Sequence, residues 1–526
     1  MRQASIGTKT MVVSPHALAS AAGARILEKG GNAFDAAVAV SSTLAVVYPH
    51  MTGLGGDSFW LLYSPGEGAV RGYNGSGRSG YKASPEAYAG EQAIPTRGIR
   101  SVLTVPGMVD SWNAILREYG TLPLGDVLEP AIAYAGAGYP VSRSQYANTK
   151  LCAGLLAANP YTAAAYLRGG GVPPAGTRWI QSGLAQSLRR IASNGRDEFY
   201  RGGLARDITS YIRKSGGLLL ADDFADHEGN WVTPLTGSYR DLELYQLPPN
   251  SQGFTGIMIA QMLEHFDFNS IPHGSVAFYH VLVEAVKLAF RDRNLELTDP
   301  DFRNIPVDRF LDKGYCRELA GRISRDSAAP LTAEPLGSDT AYAAVVDGDG
   351  NAVSFIQSLY FEFGSGVTAG ETGILLQNRG SFFSLDESSA NRLEPRKRTF
   401  HTLMPALALK DQKPYLLYGS MGGEGQPQTQ TALLTRIVDY RMDPQEAINE
   451  PRWVWGRTWG EASTELKMEA RVGEQVLGGL AAMGHEVRKI GDWDALTGHA
   501  QAILLDAHGF RIGGSDPRSD GAAIGW

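Results

Sequence analysis

The sequence predicts an α+β fold in which layers of β-sheet are covered by helices on both sides. A small-residue, apolar helix pattern over Ala33–Val47 has no polar face, which is typical of a helix in the interior. Two apolar strand patterns, residues 340–347 and Ala352–Ser358, enclose Gly348-Asp349-Gly350-Asn351, a sequence typical of a hairpin turn. Helical patterns flank these strands, and this arrangement favours stacked layers.

The remaining elements follow from apolar periodicity and from stop signals. Gly30 and Gly31 end the first helix, and Asn32 is placed to cap the second, with Asp35 in its first turn. Further patterns predict helices over residues 17–29, 280–291 and 429–440 and a strand over residues 414–418.

Composition indicates an ordinary globular protein. The 526 residues are 43% hydrophobic and 20% charged, and length alone suggests two to four domain-sized units. The net charge of −7 argues against a nucleic-acid-binding surface, and the basic run Arg396-Lys397-Arg398 is too short to change that.

Neither a metal nor a cofactor is expected. The two cysteines, Cys152 and Cys316, form no framework of disulfides, and no His, Asp or Cys group has the spacing of a metal site. The first 20 residues lack an apolar core of signal-peptide length, and Ala33–Val47 is too short to cross a bilayer. We therefore expect a soluble, cytoplasmic protein.

Thr340 is the residue with the clearest chemical potential. It begins a strand after a Pro/Ala-rich segment, residues 327–337, which has the composition of an exposed linker. If the Asp339–Thr340 bond is cut, the new α-amine has a pKa of roughly 7.7–8 and can act as general base for the Thr340 hydroxyl beside it. The alternative is a threonine that merely starts a strand.

Several motifs resemble, in order, those of the γ-glutamyltransferase family over nearly the whole chain. The motifs are Gly30-Gly31-Asn32-Ala33 with Asp35-Ala36-Ala37, Pro49-His50 with Gly53-Leu54-Gly55-Gly56, Val105-Pro106-Gly107, Glu284-Ala285 with Lys287 and Asp292-Arg293, Asp339-Thr340 with the hairpin that follows, and Ser515-Asp516-Pro517-Arg518 with Asp520-Gly521. This resemblance implies the four-layer αββα sandwich of N-terminal-nucleophile hydrolases. It also implies self-cleavage into a large subunit, residues 1–339, and a small subunit, residues 340–526, that associate.

The same resemblance assigns roles around the nucleophile. Ser358 matches the hydroxyl residue that hydrogen-bonds the nucleophile, where the family has threonine; the alternative is a strand-end serine facing water. Gly422 and Gly423 match the glycines of the oxyanion hole, whose backbone N–H groups stabilise the tetrahedral intermediate. A phosphate-binding nest or a plain turn is the competing interpretation of this glycine pair.

The substrate-binding positions depart from the family pattern. Asn74 stands in the segment where the family holds the substrate's carboxylate with an arginine, which is lost here or displaced to Arg78. Phe382 stands where the family has the aspartate that binds the α-amine. The other substituted positions are Tyr360, Arg379, His401 and Thr402.

These departures predict a different substrate. An ammonium group against Phe382 would lack a counter-charge, at a cost of several kcal/mol. Tyr360, Phe382 and His401 narrow the pocket, and Arg379 is a new cation for a carboxylate. The pattern resembles the oxamate amidohydrolase branch of bacterial purine breakdown, which implies hydrolysis of oxamate to oxalate and ammonia. His401 either lines the pocket or is a structural histidine.

Three alternatives stay open at this point. Within enzymes they are γ-glutamyl hydrolysis or transfer and a glutaryl- or cephalosporin-type acylase. Outside enzymes, an unprocessed relative would bind a small anion at the glycine-rich loops. The expected partners are a small-molecule substrate and the two fragments of the chain itself, with further association of fragment pairs left open.

Overall fold

The computed structural model describes residues 2–330, 340–456 and 463–526. Asp339 and most of the predicted linker lie outside the described residues. The α-helices are α1 (Ala17–Glu28), α2 (Ala33–Val47), α3 (Met108–Tyr119), α4 (Leu124–Ala137), α5 (Arg143–Leu151), α6 (Ala153–Ala157), α7 (Pro160–Tyr166), α8 (Ser182–Asn194), α9 (Arg196–Tyr200), α10 (Gly203–Lys214), α11 (Ala221–Ala225), α12 (Gly253–Leu263), α13 (Val276–Glu296), α14 (Val307–Phe310), α15 (Lys313–Ala320), α16 (Gly425–Val438), α17 (Pro444–Asn449) and α18 (Glu474–Ala482).

The β-strands are β1 (Ser5–Gly7), β2 (Met11–Ser14), β3 (Asp57–Ser64), β4 (Ala69–Gly75), β5 (Tyr139–Pro140), β6 (Arg178–Trp179), β7 (Asn230–Val232), β8 (Leu235–Tyr239), β9 (Leu242–Gln246), β10 (Ala341–Val346), β11 (Ala352–Ser358), β12 (Ala406–Lys410), β13 (Lys413–Ser420), β14 (Trp453–Trp455), β15 (Leu466–Glu469), β16 (Val487–Ile490), β17 (Ala500–Leu505), β18 (Arg511–Ser515) and β19 (Ala522–Gly525).

Two seven-stranded sheets form the centre of the molecule. Sheet I has the order β19-β2-β10-β11-β3-β4-β7, and sheet II has the order β1-β18-β17-β13-β12-β9-β8. Each sheet holds strands from before and after residue 340. Length alone suggested separate domain-sized units; instead the two parts of the chain share both sheets.

Strand β10 shows how the apolar sequence produces the layers. Successive side chains of a strand point to opposite faces, so a strand buried on both faces reads as a continuous apolar run. Ala343 and Val345 belong to the core formed with α2, whereas Tyr342 and Ala344 belong to the core between the two sheets. A third core packs α12, α13 and α16 on the outer face of sheet II. The order helix, sheet, sheet, helix confirms the predicted αββα sandwich.

Helix α2 agrees with its prediction in bounds, burial and cap. All of its residues are buried. The Asn32 side chain accepts hydrogen bonds from the backbone N–H groups of Phe34 and Asp35 at 2.9 and 3.0 Å, and the Asp35 carboxylate accepts from the Asn32 N–H at 3.0 Å. Such a reciprocal cap fixes the start of the helix.

Other predicted elements are present with shifted ends. The pattern over residues 280–291 lies inside the longer helix α13, and α16 begins at Gly425, four residues before the predicted start. Strand β13 extends the predicted strand at both ends, and the predicted hairpin joins β10 to β11. In the parts of the chain that the structure describes, no helix is long and apolar enough to cross a membrane.

Candidate active site

A row of polar side chains crosses the middle of sheet I at one end of its strands. Strands β10 and β11 pair antiparallel with Ala341 opposite Gln357, so the register continued by one residue sets Thr340 opposite Ser358. Ser358 is in turn the partner of Asp57 on β3. Directly opposed side chains share a face of the sheet with Cβ atoms about 4.5–5.5 Å apart. Thr340, Ser358 and Asp57, hereafter the cross-strand row, are all fully buried.

Thr340 immediately precedes β10, and its hydroxyl contacts Gln426. The Gln426 Nε2 donates to Thr340 Oγ1 at 3.4 Å, while Gln426 Oε1 accepts from the Met404 backbone N–H at 3.2 Å. Gln426 lies at the start of α16, three residues after the glycine pair. Sequence reasoning missed it, although a glutamine that follows Gly-Gly at a strand-to-helix turn was visible as a signal.

Ser358 does not face water, which rules out one of the two interpretations of this residue. Its Oγ accepts from the Tyr360 backbone N–H at 2.7 Å and from Arg379 Nη2 at 3.4 Å. Tyr360 has a left-handed backbone, φ 87°, which is uncommon for an aromatic residue and is often found at functional sites. The hydroxyl of Ser358 thus lies in the cross-strand row, next to a buried cation.

The glycine pair ends β13 with a backbone that requires glycine. Gly422 has φ 122° and Gly423 has φ 49°. The Gly422 carbonyl accepts from the Gly425 N–H at 2.7 Å, and the Gly423 carbonyl accepts from the Gln426 N–H at 3.1 Å. Within the described residues neither glycine's own N–H has a protein acceptor. An oxyanion hole needs two such free N–H groups close to the nucleophile, and Gln426, three residues after Gly423, contacts Thr340. This role stays a prediction.

Arg379 is the buried cation of the site. Its side chain lies in the short 3-10 helix Arg379–Phe382 and is 1% exposed. The hydrogen bonds from Nη1 to Thr402 Oγ1 and from Nη2 to Ser358 Oγ are long, 3.5 and 3.4 Å, and Nε has no partner in the described parts of the chain. The guanidinium stacks 4.2 Å from the centre of the Tyr360 ring. Burial lowers the pKa of Arg379 to about 10, so it stays charged at neutral pH.

His401 is linked to Asp57 rather than to Thr340. Its Nε2 lies 3.2 Å from Asp57 Oδ2, and its Nδ1 accepts from the Leu403 backbone N–H at 3.4 Å, which places the proton on Nε2. Burial, and then Arg379, lower the pKa of His401 well below its usual range. His401 is therefore neutral and donates to Asp57. This contact accounts for the residue without a catalytic step.

Asp57 is the second residue that sequence reasoning missed. Its Oδ1 accepts from Gly77 N at 3.3 Å, from Gly107 N at 3.1 Å and from Gln377 Nε2 at 3.1 Å. Burial raises the pKa of the Asp57 carboxyl to about 7, although Arg379 and the hydrogen bonds act in the opposite direction. A carboxylate directly after Gly55-Gly56, at the start of an apolar strand, was the available signal.

Phe382 belongs to a chain of aromatic rings beside Arg379. Its ring centre lies 5.2 Å from that of Tyr360 and 5.0 Å from that of Phe400, and Phe361 lies 4.5 Å from Tyr360. These side chains are all buried. The surroundings of Phe382 are therefore aromatic, and its expected place opposite a substrate ammonium group stays a prediction.

A buried ion pair supports the glycine pair from behind. Arg293 on α13 donates to Gln252 Oε1 at 2.8 Å and to Glu424 Oε1 at 3.1 Å. Gln252 Nε2 donates to the carbonyls of Gly423 and Thr402 at 3.1 and 2.7 Å. The network therefore links the glycine loop to the segment that carries Thr402.

The two remaining predicted substrate residues bind other protein groups. Asn74 donates to Asn250 Oδ1 at 2.9 Å and accepts from Ser76. Arg78 forms ion pairs with Asp299 at 3.0 Å and Asp301 at 2.6 Å, so its charge is already paired. The contacts of Asn74 and Arg78 give no support to a role in substrate binding, and that role stays a prediction.

One group of potential metal ligands lies in the helical layer. His280, Glu284 and His485 come together around α13, although their spacing in the sequence gave no indication of it. His280 Nε2 bonds the Ser324 carbonyl at 2.7 Å, which leaves Nδ1 to accept from His485 Nε2 at 2.8 Å. Lys287 Nζ lies 2.7 Å from Glu284. Lys287 thus already supplies a positive charge to this cluster, in which His485 Nδ1 is buried without a hydrogen-bond partner among the described residues.

Comparison with known proteins agrees with this geometry. The sequence model of the family described as Gamma-glutamyltranspeptidase matches residues 19–526. The chain belongs to this family. Its members include N-terminal-nucleophile hydrolases. The motifs recognised in the sequence all fall within the matched residues.

Individual relatives cover the full length of the chain. The "Glutathione hydrolase-like YwrD proenzyme" of Bacillus subtilis (strain 168) is 60% identical over 525 residues, covering all of both chains. The "Oxamate amidohydrolase proenzyme" of Klebsiella pneumoniae subsp. pneumoniae is 40% identical over 531 residues, again covering all of both. Among solved structures, the cephalosporin acylase from Bacillus halodurans matches with a TM-score of 0.93 and 36% identity, covering 100% of this chain and 97% of that one. The chain is thus a hydrolase of the γ-glutamyltranspeptidase family.

Proposed function

We propose that this protein is a self-processing amidohydrolase that hydrolyses a small amide bearing a carboxylate, with Thr340 as the nucleophile. The choice of a carboxylate-bearing substrate rests on Arg379. A buried cation is costly unless an anion accompanies it, and among the described residues this guanidinium makes only long hydrogen bonds, to hydroxyl groups. The nearby Asp57 is itself enclosed by four donors. A substrate carboxylate would complete the pairing of Arg379.

Maturation begins at Thr340. Its Oγ attacks the carbonyl carbon of Asp339, the acyl group moves from nitrogen to oxygen, and water hydrolyses the resulting ester. The products are fragments 1–339 and 340–526. The freed α-amine of Thr340, with a pKa of roughly 7.7–8, becomes the general base.

Turnover repeats this chemistry on the substrate. The α-amine takes the hydroxyl proton, Oγ attacks the amide carbon, and the N–H groups of Gly422 and Gly423 bind the oxyanion. One such donor is typically worth about 2.7–4 kcal/mol in the transition state. The amine then protonates the amide nitrogen, which leaves as ammonia. Water hydrolyses the ester on Thr340 to release the acid.

Oxamate fits this arrangement best. Arg379 reaches Ser358, the residue opposite Thr340, so a carboxylate bound there lies close to the scissile carbonyl. In oxamate the carboxylate is bonded directly to the amide carbon. The aromatic wall around Phe382 limits the length of the acyl group. The similarity to the Klebsiella oxamate amidohydrolase supports the same choice.

A γ-glutamyl hydrolase is the second candidate. The similarity to the Bacillus subtilis relative named glutathione hydrolase-like favours it, whereas the apolar surroundings of Phe382 argue against a bound ammonium group. The close match to a cephalosporin acylase structure favours an acylase in the same way.

A panel of three substrates separates these activities. The purified protein is supplied in parallel with oxamate, a γ-glutamyl anilide and a glutaryl amide, and release of ammonia or aniline is measured. We expect ammonia from oxamate alone. Turnover of the anilide would contradict the pocket argument. An unprocessed chain with no turnover would instead favour the anion-binding relative. The cytoplasmic location stays a prediction.

A further inference from the structure

Asp57 has a position that the proposed reaction does not yet use. It lies on the strand next to Ser358, directly opposite it, and both side chains point into the space between the sheets. It is fully buried, as is Arg379. The surroundings of Ser358 thus include one buried carboxyl group and one buried guanidinium before any substrate enters.

The hydrogen bonds of Asp57 suit a carboxylate that gains and loses a proton. Oδ1 accepts three donors, two of them backbone N–H groups. Among the described residues, Oδ2 accepts from His401 alone, whose Nε2 lies 3.2 Å away. Since Oδ1 holds most of the donors, Oδ2 can take up a proton with the loss of a single hydrogen bond.

Four titratable side chains of the described residues surround Asp57, and two of them are charged. Arg379 and Arg398 are cations, Arg398 being held by the Ser76 carbonyl at 3.1 Å. His401 is neutral, and Tyr200 is a buried phenol with a pKa well above its usual value. A second anion beside Arg379 would weaken the attraction that keeps Asp57 ionised, because two like charges at one cation raise each other's pKa.

We propose that Asp57 shares Arg379 with the carboxylate of the substrate, and that this carboxylate binds together with one proton that Asp57 takes from the solvent. The inference rests on the proposed function, since it assumes a substrate carboxylate at Arg379. Asp57 acts through Arg379 and His401 and is a positioning residue. It favours carboxylates on the acid side of neutrality and weakens their binding on the alkaline side.

The direction of the pH effect follows from the free enzyme. Burial raises the pKa of Asp57 to about 7. Below that pH Asp57 already carries its proton, and carboxylate binding does not depend on pH through this group. Above it, binding requires proton uptake, so the dissociation constant rises by up to about tenfold per pH unit.

Calorimetry with oxalate tests the coupling without any turnover. Oxalate is fully ionised in the range used, and titrations of the processed enzyme at pH 8 in two buffers of different ionisation enthalpy count the protons taken up. We expect close to one proton per oxalate in the native enzyme and a smaller number in Asp57→Asn. The α-amine of Thr340 is present in both proteins, so the difference between them isolates Asp57.

Asp223→Asn is the matched control. Asp223 is also fully buried and accepts backbone N–H groups, those of Tyr81 and Leu220, at 2.7 and 2.6 Å, but lies at the start of α11. This variant should take up the native number of protons. If Asp57→Asn does not fold, Asp57→Ser takes its place in the comparison.

Oxalate binding without proton uptake at pH 8, or equal uptake in Asp57→Asn, would overturn the coupling and leave the proposed function standing. Proton-coupled oxalate binding without hydrolysis of oxamate would support the coupling and contradict the proposed function. Failure of oxalate to bind at all would contradict both.

Discussion

The proposed function assigns the choice of substrate to Arg379. This arginine replaces the polar partners that a γ-glutamyl group would need, and its guanidinium is enclosed by Tyr360, Ser358 and Thr402. A guanidinium in this setting recognises a carboxylate through two parallel hydrogen bonds as well as through charge. The selectivity of the enzyme should therefore depend on this single side chain.

Arg379→Met should lower kcat/KM for oxamate by about 30-fold or more, because truncation of one partner of a buried charge pair costs about 2 kcal/mol or more. Steady-state ammonia release measures the effect. Oxamide, which has the same shape without the charge, is the internal control and should be much less affected. Arg379→Lys keeps the charge but loses the paired N–H donors of the guanidinium. Its kcat/KM for oxamate should lie between those of the native protein and Arg379→Met.

Equal losses of kcat/KM on oxamate and oxamide would contradict this role and point to a structural effect of Arg379 on Ser358. The fraction of self-processed chain must be measured in each variant, since Ser358 lies opposite Thr340.

At the scale of elements, the loop between β13 and α16 has the most demanding geometry. Gly422 and Gly423 both have positive φ, and the loop is held from behind by Gln252, Glu424 and Arg293. The alignment of backbone donors with the oxyanion matters only in the transition state. A disturbance of this support should therefore affect kcat rather than KM.

Arg293→Met should reduce kcat for oxamate at least tenfold with little change in KM, since loss of one aligned donor costs about 10²–10³ in rate. The single variant also leaves Glu424 without this arginine and should be destabilised by about 3–5 kcal/mol. The double variant Arg293→Met, Glu424→Gln should recover much of the stability, measured by thermal unfolding, but not kcat. A rise in KM at unchanged kcat would show that Arg293 acts on substrate binding instead.

The elements also show what a sequence can and cannot reveal. Helix α2 was predicted with its ends and cap, because both depend on neighbouring residues such as Asn32 and Asp35. The hairpin of β10 and β11 was predicted for the same reason. Asp57 was missed because its role arises from pairing with Ser358, some 300 positions away, and such a register has no local signature.

The family motifs supplied part of what local patterns lack. They indicated Thr340, Ser358 and the glycine pair, which the structure brings to one end of sheet I and the adjoining turn. Arg379 was found as a departure from the motif. Arg78 was considered for the same role, but its two carboxylate partners became visible only in three dimensions.

At the scale of the molecule, the two parts of the chain are interleaved. Strand β10 lies between β2 and β11, and β12 lies between β9 and β13, so each sheet needs strands from both sides of residue 340. Cutting one bond before Thr340 leaves these pairings and the core between the sheets in place. The fragments should therefore stay together as one folded unit after processing.

The mass of the purified protein tests the central claim most directly. Under denaturing conditions we expect two fragments, 1–339 and 340–526, the second with Thr340 as its first residue. Under native conditions they should elute together from a size-exclusion column, and Thr340→Ala should remain a single chain of 526 residues without activity. An active preparation that consists of the intact chain, or a small fragment that begins at another residue, would contradict the assignment of Thr340 as the nucleophile.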